Sequence, residues 1–132
     1  MSIKSLLAEL NKLVEIDPQA FEAFTRSTRV ITLAKKERWE KEGEISQHMG
    51  FVSQGLLRQY EHKEGVEFTT DFFFENDFVG NYISYQTQSP SPSATEALEP
   101  SELIVIPFAQ FEKLYESIPA TQEVAEIIGK RK

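Results

Sequence analysis

At 132 residues the chain is long enough for one domain with a substantial core and too short for two. Lys and Arg number 14 against 21 Asp and Glu, a formal net charge of −7, which disfavours non-specific attraction to nucleic acid or to an anionic membrane. Cysteine is absent, excluding disulfides, iron–sulfur ligation and thiol catalysis; with no basic leader and no apolar stretch of bilayer length, the expectation is a soluble protein of the cytoplasm.

Leu6, Leu7, Leu10, Leu13 and Val14 recur at helical spacing. Asp17-Pro18 then supplies an N-cap and a first-turn proline for a second short helix carrying Phe21 and Phe24. From Thr28 the pattern changes to short strands: Arg29 to Leu33, Glu37 to Glu40, Met49 to Ser53, Leu56 to Glu61 and Glu67 to Phe74. Turn signals at Glu42-Gly43, Gln54-Gly55 and Lys63-Glu64-Gly65 separate them. Gly43, Gly55, Gly65 and Gly80 are read as positions where a side chain is costly to the backbone. Alternation along Phe72-Phe73-Phe74 sends Phe73 to one face and its neighbours to the other, as expected of a strand covered on both sides. Thr95 to Leu98 and Glu102 to Ile106 are two further strands joined at Pro100. Pro107 is placed at a helix start, with Phe108, Phe111, Leu114, Tyr115 and Ile118 on one face, and Pro119 breaks the pattern before a last helix carrying Val124, Ile127 and Ile128. Strands this short and turns this frequent predict a mainly β sandwich of the jelly-roll type with flanking helices.

Between the strands lies Asp77 to Ile106, with the outline of a phosphate-binding cassette: a short apolar turn ending in Gly80, a helix-like turn, a Ser/Pro loop and a closing strand. Asp77-Phe78-Val79-Gly80 is similar to the D-F-[IV]-G-E that opens the cassette of the cyclic-nucleotide-binding domains of Crp/Fnr transcription regulators. Phe51 to Arg58, F-V-S-Q-G-L-L-R, matches that family's F-x-x-x-G-x-[LV]-[RK] strand pair. The resemblance runs from the opening helices to Pro119 and implies the sensor domain of such a regulator, with a double-stranded β-helix fold. The units are then helices over 1–27, a jelly roll over 28–106 with its cassette at 77–95, and helices over 107–132. In the family the last helix pairs two subunits and leads to a helix-turn-helix that binds DNA. The resemblance thus implies a weak homodimer through Val124, Ile127 and Ile128, and DNA contact only through a domain outside this chain.

The residues that would hold the phosphate are replaced. Asn81 stands where the family has Glu, and Ser91 and Pro92 stand where it has Arg and Ser/Thr. Between Arg58 and Lys113 the only Lys or Arg is Lys63, against ten acidic residues, so a cyclic phosphate would meet no counter-charge. The candidate ligand-binding set is instead Gly80, Asn81, Tyr82, Ser84, Tyr85, Ser91, Ser93 and Thr95, with Arg58 and Tyr60 from a neighbouring strand. It suits a neutral or amphipathic molecule, with a backbone nest at Gly80-Asn81-Tyr82. It equally suits a self-filled vestige in which the tyrosines occupy the cavity. No cofactor and no metal are expected: His48 and His62 are far apart in sequence and form no His-x-His pair. Acid pairs such as Glu42/Glu44 and Glu75/Asp77 sit at turns, and no catalytic fingerprint is present, so the reading is not an enzyme. The phenylalanines are read as core rather than as a base-stacking platform, and Trp39 as a residue at the sandwich edge. An alternative function is a free-standing protein-interaction module using the C-terminal helix.

Overall fold

The computed structural model describes residues 18–117 together with Ala8 and Gln122. The first expected helix and the stripe Val124, Ile127 and Ile128 lie outside the described residues. The described elements run α1 (Pro18–Ser27), β1 (Arg29–Leu33), β2 (Arg38–Glu40), β3 (His48–Gln54), β4 (Leu57–Lys63), β5 (Val66–Phe73), β6 (Phe78–Val79), α2 (Tyr82–Thr87), β7 (Ala94–Ala97), β8 (Ser101–Pro107) and α3 (Phe108–Ser117). Each expected strand over this range is found, β1 with the expected bounds and the others with ends shifted by one or two residues. β6 was not expected, because only Phe78 and Val79 pair, opposite Phe51 and Gly50. Pro107 closes β8 instead of opening the helix: it lies opposite His48, and the next amide, Phe108 N–H, donates to the Gln47 carbonyl at 2.8 Å. A proline at a strand end leaves no ladder donor unsatisfied there.

The strands form two antiparallel four-stranded sheets, β1-β8-β3-β6 and β2-β7-β4-β5. The central strands of the first, β3 and β8, are covered on both faces, which explains their continuous apolar runs. On β3, Met49 and Phe51 point to the helices while Val52 points between the sheets; on β8, Ile104 points to the helices and Leu103 and Val105 point inward. The helix-side core gathers Ala20 and Phe24 of α1, Tyr85 of α2 and Leu114 of α3 onto Met49, Phe51, Phe78 and Ile104. The inter-sheet core joins Leu33, Val52, Val79, Leu103 and Val105 to Leu57, Phe73 and Ala97 of the other sheet. Each such large side chain, fully buried, contributes about 1.5–3 kcal/mol relative to exposure.

The second sheet is different. Phe73 is buried, but Phe72 and Phe74 are 47% and 59% exposed, and Val66 and Phe68 are exposed as well. β5 is an edge strand with only one covered face, so the expectation of two covered faces is corrected. Period-2 alternation was read properly; what it could not show is that the outer side of β5 is left exposed at Phe72 and Phe74. The β4–β5 hairpin turns on Glu64 and Gly65, both at positive φ (55° and 79°), the conformation of a two-residue type I′ turn.

Gly43 and Gly55 both adopt positive φ, +82° and +112°, yet their surroundings differ: a Cβ on Gly43 would meet nothing within 4 Å, and one on Gly55 would lie 2.1 Å from Ser101 Oγ and 2.7 Å from its Cα. Gly43→Ala should therefore cost only the conformational strain, about 1 kcal/mol. Gly55→Ala should cost an additional ~1–3 kcal/mol from overpacking against backbone. Urea denaturation of the two variants checks the order; equal losses would contradict the packing account.

Candidate functional site

The cassette hangs on Gly80, whose φ is +129° and whose missing Cβ would sit 3.2 Å from Met49 Sδ and 3.6 Å from the Trp39 ring. Asn81 follows in extended conformation as the N-cap of α2, its Oδ1 accepting the Ser84 N–H at 2.8 Å. At the other end Gln88 takes the left-handed conformation (φ 54°, ψ 42°), and its Nε2 donates to the carbonyls of Tyr85 and Ser46 at 2.7 and 3.3 Å. A helix of six residues is not stable by itself. It persists because both ends are capped and one face is buried.

A strap from the β2–β3 segment holds the cassette from the side. The Ser46 amide donates to Ser84 Oγ at 2.9 Å, Ser84 Oγ donates to the Ser89 carbonyl at 2.5 Å, and Ser46 Oγ bonds to Glu40 Oε2. Gly43 N–H donates to the Ser91 carbonyl at 2.8 Å, and Ser91 N–H returns a bond to the Glu44 carbonyl at 2.9 Å. Beside the strap, a cleft of about 210 Å³ opens between Trp39, Glu40, Ser46, His48 and Ser91. Most consequential is the other oxygen of Glu40: Oε1 accepts the Asn81 N–H at 3.2 Å. The nest expected at Gly80-Asn81-Tyr82 has its Asn81 amide engaged by a carboxylate of the chain itself.

The serine loop is likewise self-satisfied. Ser93 Oγ accepts from Gln59 Nε2 at 2.7 Å and from Asn81 Nδ2 at 3.3 Å, while Ser91 Oγ donates to the Ser93 carbonyl at 2.9 Å. Ser91, Ser93 and Thr95 are buried. Thr95 lies opposite Gln59 and two residues before Ala97 of the inter-sheet core, hence on the inner face of β7. Sequence reasoning missed Glu40, Ser46 and Gln59. Alternation offered the signal for Gln59, since it shares the inner face of β4 with Leu57.

The same alternation corrects the places of Arg58 and Tyr60. They sit on the outer face, opposite to Gln59, with the Arg58 guanidinium carbon 4.2 Å from the Tyr60 ring centroid. Arg58 donates to Glu96 at 2.7 Å, to Glu67 at 2.8 Å and to Thr69 at 3.0 Å. Burial pulls the guanidinium down, but the hydrogen bonds it donates to Glu67 and Glu96 outweigh it and hold it above its ordinary value. Burial likewise pushes the Tyr60 phenol up.

Nor do the tyrosines of α2 face the serine loop. Tyr85 is buried in the helix-side core, its hydroxyl donating to the Ile106 carbonyl at 3.3 Å and its ring edge-on to Phe108 and Phe111, at centroid distances of 5.5 and 5.8 Å. Tyr82 packs on the same side. Burial raises both phenols above their ordinary value, most strongly for Tyr85. Thus the candidate set divides: Asn81, Ser84, Ser91, Ser93 and Thr95 come together, Tyr82 and Tyr85 face α3, and Arg58 and Tyr60 lie across the sheet. Among the described residues no three His, Asp or Glu are grouped as metal ligands would be, and no helix is long and apolar enough to cross a membrane.

Two antiparallel sheets, flanking helices and a glycine-hinged cassette define a cyclic-nucleotide-binding type of sandwich. The sequence model of the cyclic nucleotide-binding domain matches residues 30–117, and the chain belongs to that family. Solved structures of the same fold include the catabolite activator protein of Thermus thermophilus, 17% identical with a TM-score of 0.78, covering 92% of this chain and 57% of that one. The sensor domain of the transcriptional regulator DNR from Pseudomonas aeruginosa is 16% identical, with a TM-score of 0.73 over 98% of this chain and 91% of that one. The N-terminal domain of a transcriptional regulator from Streptomyces coelicolor A3(2) is 16% identical, with a TM-score of 0.73 over 89% and 82%. The chain spans a little over half the length of the Thermus protein. A search of the curated proteins gives no significant match.

The outer-face ion pair sets a pH dependence. The Arg58 hydrogen bond holds the Glu67 carboxyl below its ordinary value. Its stabilisation is complete above the unfolded-state pKa of Glu and is lost as pH falls through the lower folded value. Arg58→Met should destabilise at neutral pH, and the gap from wild type should narrow between about pH 5 and about pH 3. Denaturation at several pH values checks this; a gap independent of pH would contradict it.

Proposed function

We propose that this chain is a regulatory sensor domain of the Crp/Fnr type whose cassette does not take a cyclic nucleotide in the usual way. The observation that carries the reading is Glu40: its carboxylate already occupies the Asn81 amide. Gln59 and Asn81 fill the acceptor positions of Ser93 Oγ, whose hydroxyl lies 3.4 Å from Ser91 Oγ, and Arg58 is committed to Glu67 and Glu96 on the far face. A phosphate entering at the Asn81 amide would lie beside the Glu40 carboxylate with no arginine on the serine loop to pair it, and Lys41 on the wall of the neighbouring cleft is offset there by Glu40 and Glu44; a buried charge without a matched partner costs several kcal/mol (~2–7 even for a neutral polar group). The role is regulatory rather than enzymatic, in the cytoplasm. Its output is a shift in the pose of α2 against α3 through the Tyr85, Phe108 and Phe111 contacts, which requires an effector with unequal affinity for two poses. Any contact with DNA belongs to a helix-turn-helix domain beyond the chain.

Millimolar cAMP or cGMP should leave the melting temperature unchanged, although a ligand at one hundred times its Kd would add about 2.7 kcal/mol. A clear upward shift would overturn the proposal. Combining Glu40→Gln with Asn81→Glu, Ser91→Arg and Pro92→Ser should create measurable affinity. Failure of that variant, if folded, would show that the cassette positions have been matched wrongly.

The domain division at residues 27 and 106 and a weak dimer through Val124, Ile127 and Ile128 belong to the same proposal. Sedimentation should show concentration-dependent association that Ile127→Glu abolishes. A chain monomeric at hundreds of micromolar, or a dimer indifferent to the substitution, would remove the dimer from the proposal.

A further inference from the structure

The groove between α2 and α3 has a chemistry distinct from the cassette, and the sensor reading assigns it no ligand. Its volume is about 430 Å³, and its walls carry five aromatic rings: Tyr82, Tyr85, Phe108, Phe111 and Tyr115. That volume lies in the ordinary range of small-molecule sites, roughly 300–1,000 Å³. Among the described residues the polar members of the lining are Gln86, Glu112 and Glu116, with no Lys, Arg or His. Glu112 and Glu116 are exposed, one helical turn apart on α3. Tyr115 is 44% exposed at the mouth, and buried Tyr85 forms the floor with its hydroxyl already bonded to the Ile106 carbonyl. The floor therefore offers ring surface rather than a free donor.

Aromatic faces carry the negative lobe of the ring quadrupole and attract a cation held within about 6 Å. Two carboxylates at the rim add a complementary charge, and the chain's net charge of −7 favours approach of cations over anions. A metal ion is poorly served by two exposed carboxylates on a single helix with no further grouped donors. We infer that the groove between α2 and α3 binds an organic cation, a quaternary or protonated amine carrying an apolar body, with the ammonium against the rings beside Glu112 and Glu116. Such a ligand would touch the cassette helix from the side opposite Asn81 and Ser84. The inference stands apart from the proposed function, since it holds whether or not the cassette takes a nucleotide.

The probe is phenyltrimethylammonium, with tert-butylbenzene as its neutral isostere, titrated into the full chain and followed by the NMR shifts of the tyrosine and phenylalanine rings. Saturable shifts at Tyr82, Tyr115 and Phe111 are expected, with the cation binding at least tenfold more tightly than the isostere. The double variant Glu112→Gln, Glu116→Gln changes only exposed side chains and should lose most of that preference while melting like wild type. Tyr115→Ala should weaken the cation as well. No saturable shift at ten millimolar, equal binding of the isostere, or a preference untouched by the double variant would each overturn the inference. Unchanged melting with cAMP bears on the cassette alone, so the two readings fail separately.

Discussion

The arrangement rests on two central strands that are covered on both faces. β3 and β8 lie at the centre of β1-β8-β3-β6 and present alternate side chains to two separate cores. Phe51 and Ile104 anchor the helices, while Val52, Leu103 and Val105 anchor the second sheet. A change of register by one residue on β3 would exchange these sets and leave both interfaces mismatched. The cassette inherits its position from this constraint, since β6 pairs with β3 and the chain then turns at Gly80 directly over Met49 and Trp39.

Given that fixed base, the cassette is closed by neutral hydrogen bonds and one carboxylate. Gln59, Asn81, Ser91 and Ser93 bond to one another around two buried serines, where an unpaired polar group would be costly. Glu40 is the exception in charge, and its two oxygens are shared between the Asn81 amide and the Ser46 hydroxyl. The strap from Gly43 to Ser46 therefore tethers the same helix end that begins the cassette. Movement of α2 would have to break these bonds together, which favours two discrete poses over gradual displacement.

The sandwich was legible because its signals are local. Strand alternation, the Glu64-Gly65 turn and the apolar runs of β3 and β8 each lie within a few residues. The cassette's outline was legible for the same reason, through Asp77 to Gly80 and the short helix after it. Its interior was not. Glu40 meets Asn81 across 41 positions, and Gln59 meets Ser93 across 34, contacts that no periodicity encodes. Arg58 was grouped with the cassette residues as a contributor from a neighbouring strand, although alternation with Leu57 puts Gln59 on the inner face and Arg58 on the other. Tyr82 and Tyr85 were grouped with Ser84 by proximity in sequence, while helical geometry turns them to a different face.

The exposed row along β5 governs how the protein behaves in concentrated solution. Val66, Phe68, Phe72 and Phe74 lie on or beside an unpaired sheet edge, an arrangement that invites strand addition by another molecule. Glu67, Asp71 and Glu75 punctuate that row. Glu67 is paired with Arg58, so the like charges of Asp71 and Glu75 are what repel a second copy of the same strand, and resistance to strand addition rests on charge at the edge rather than on the strength of either core.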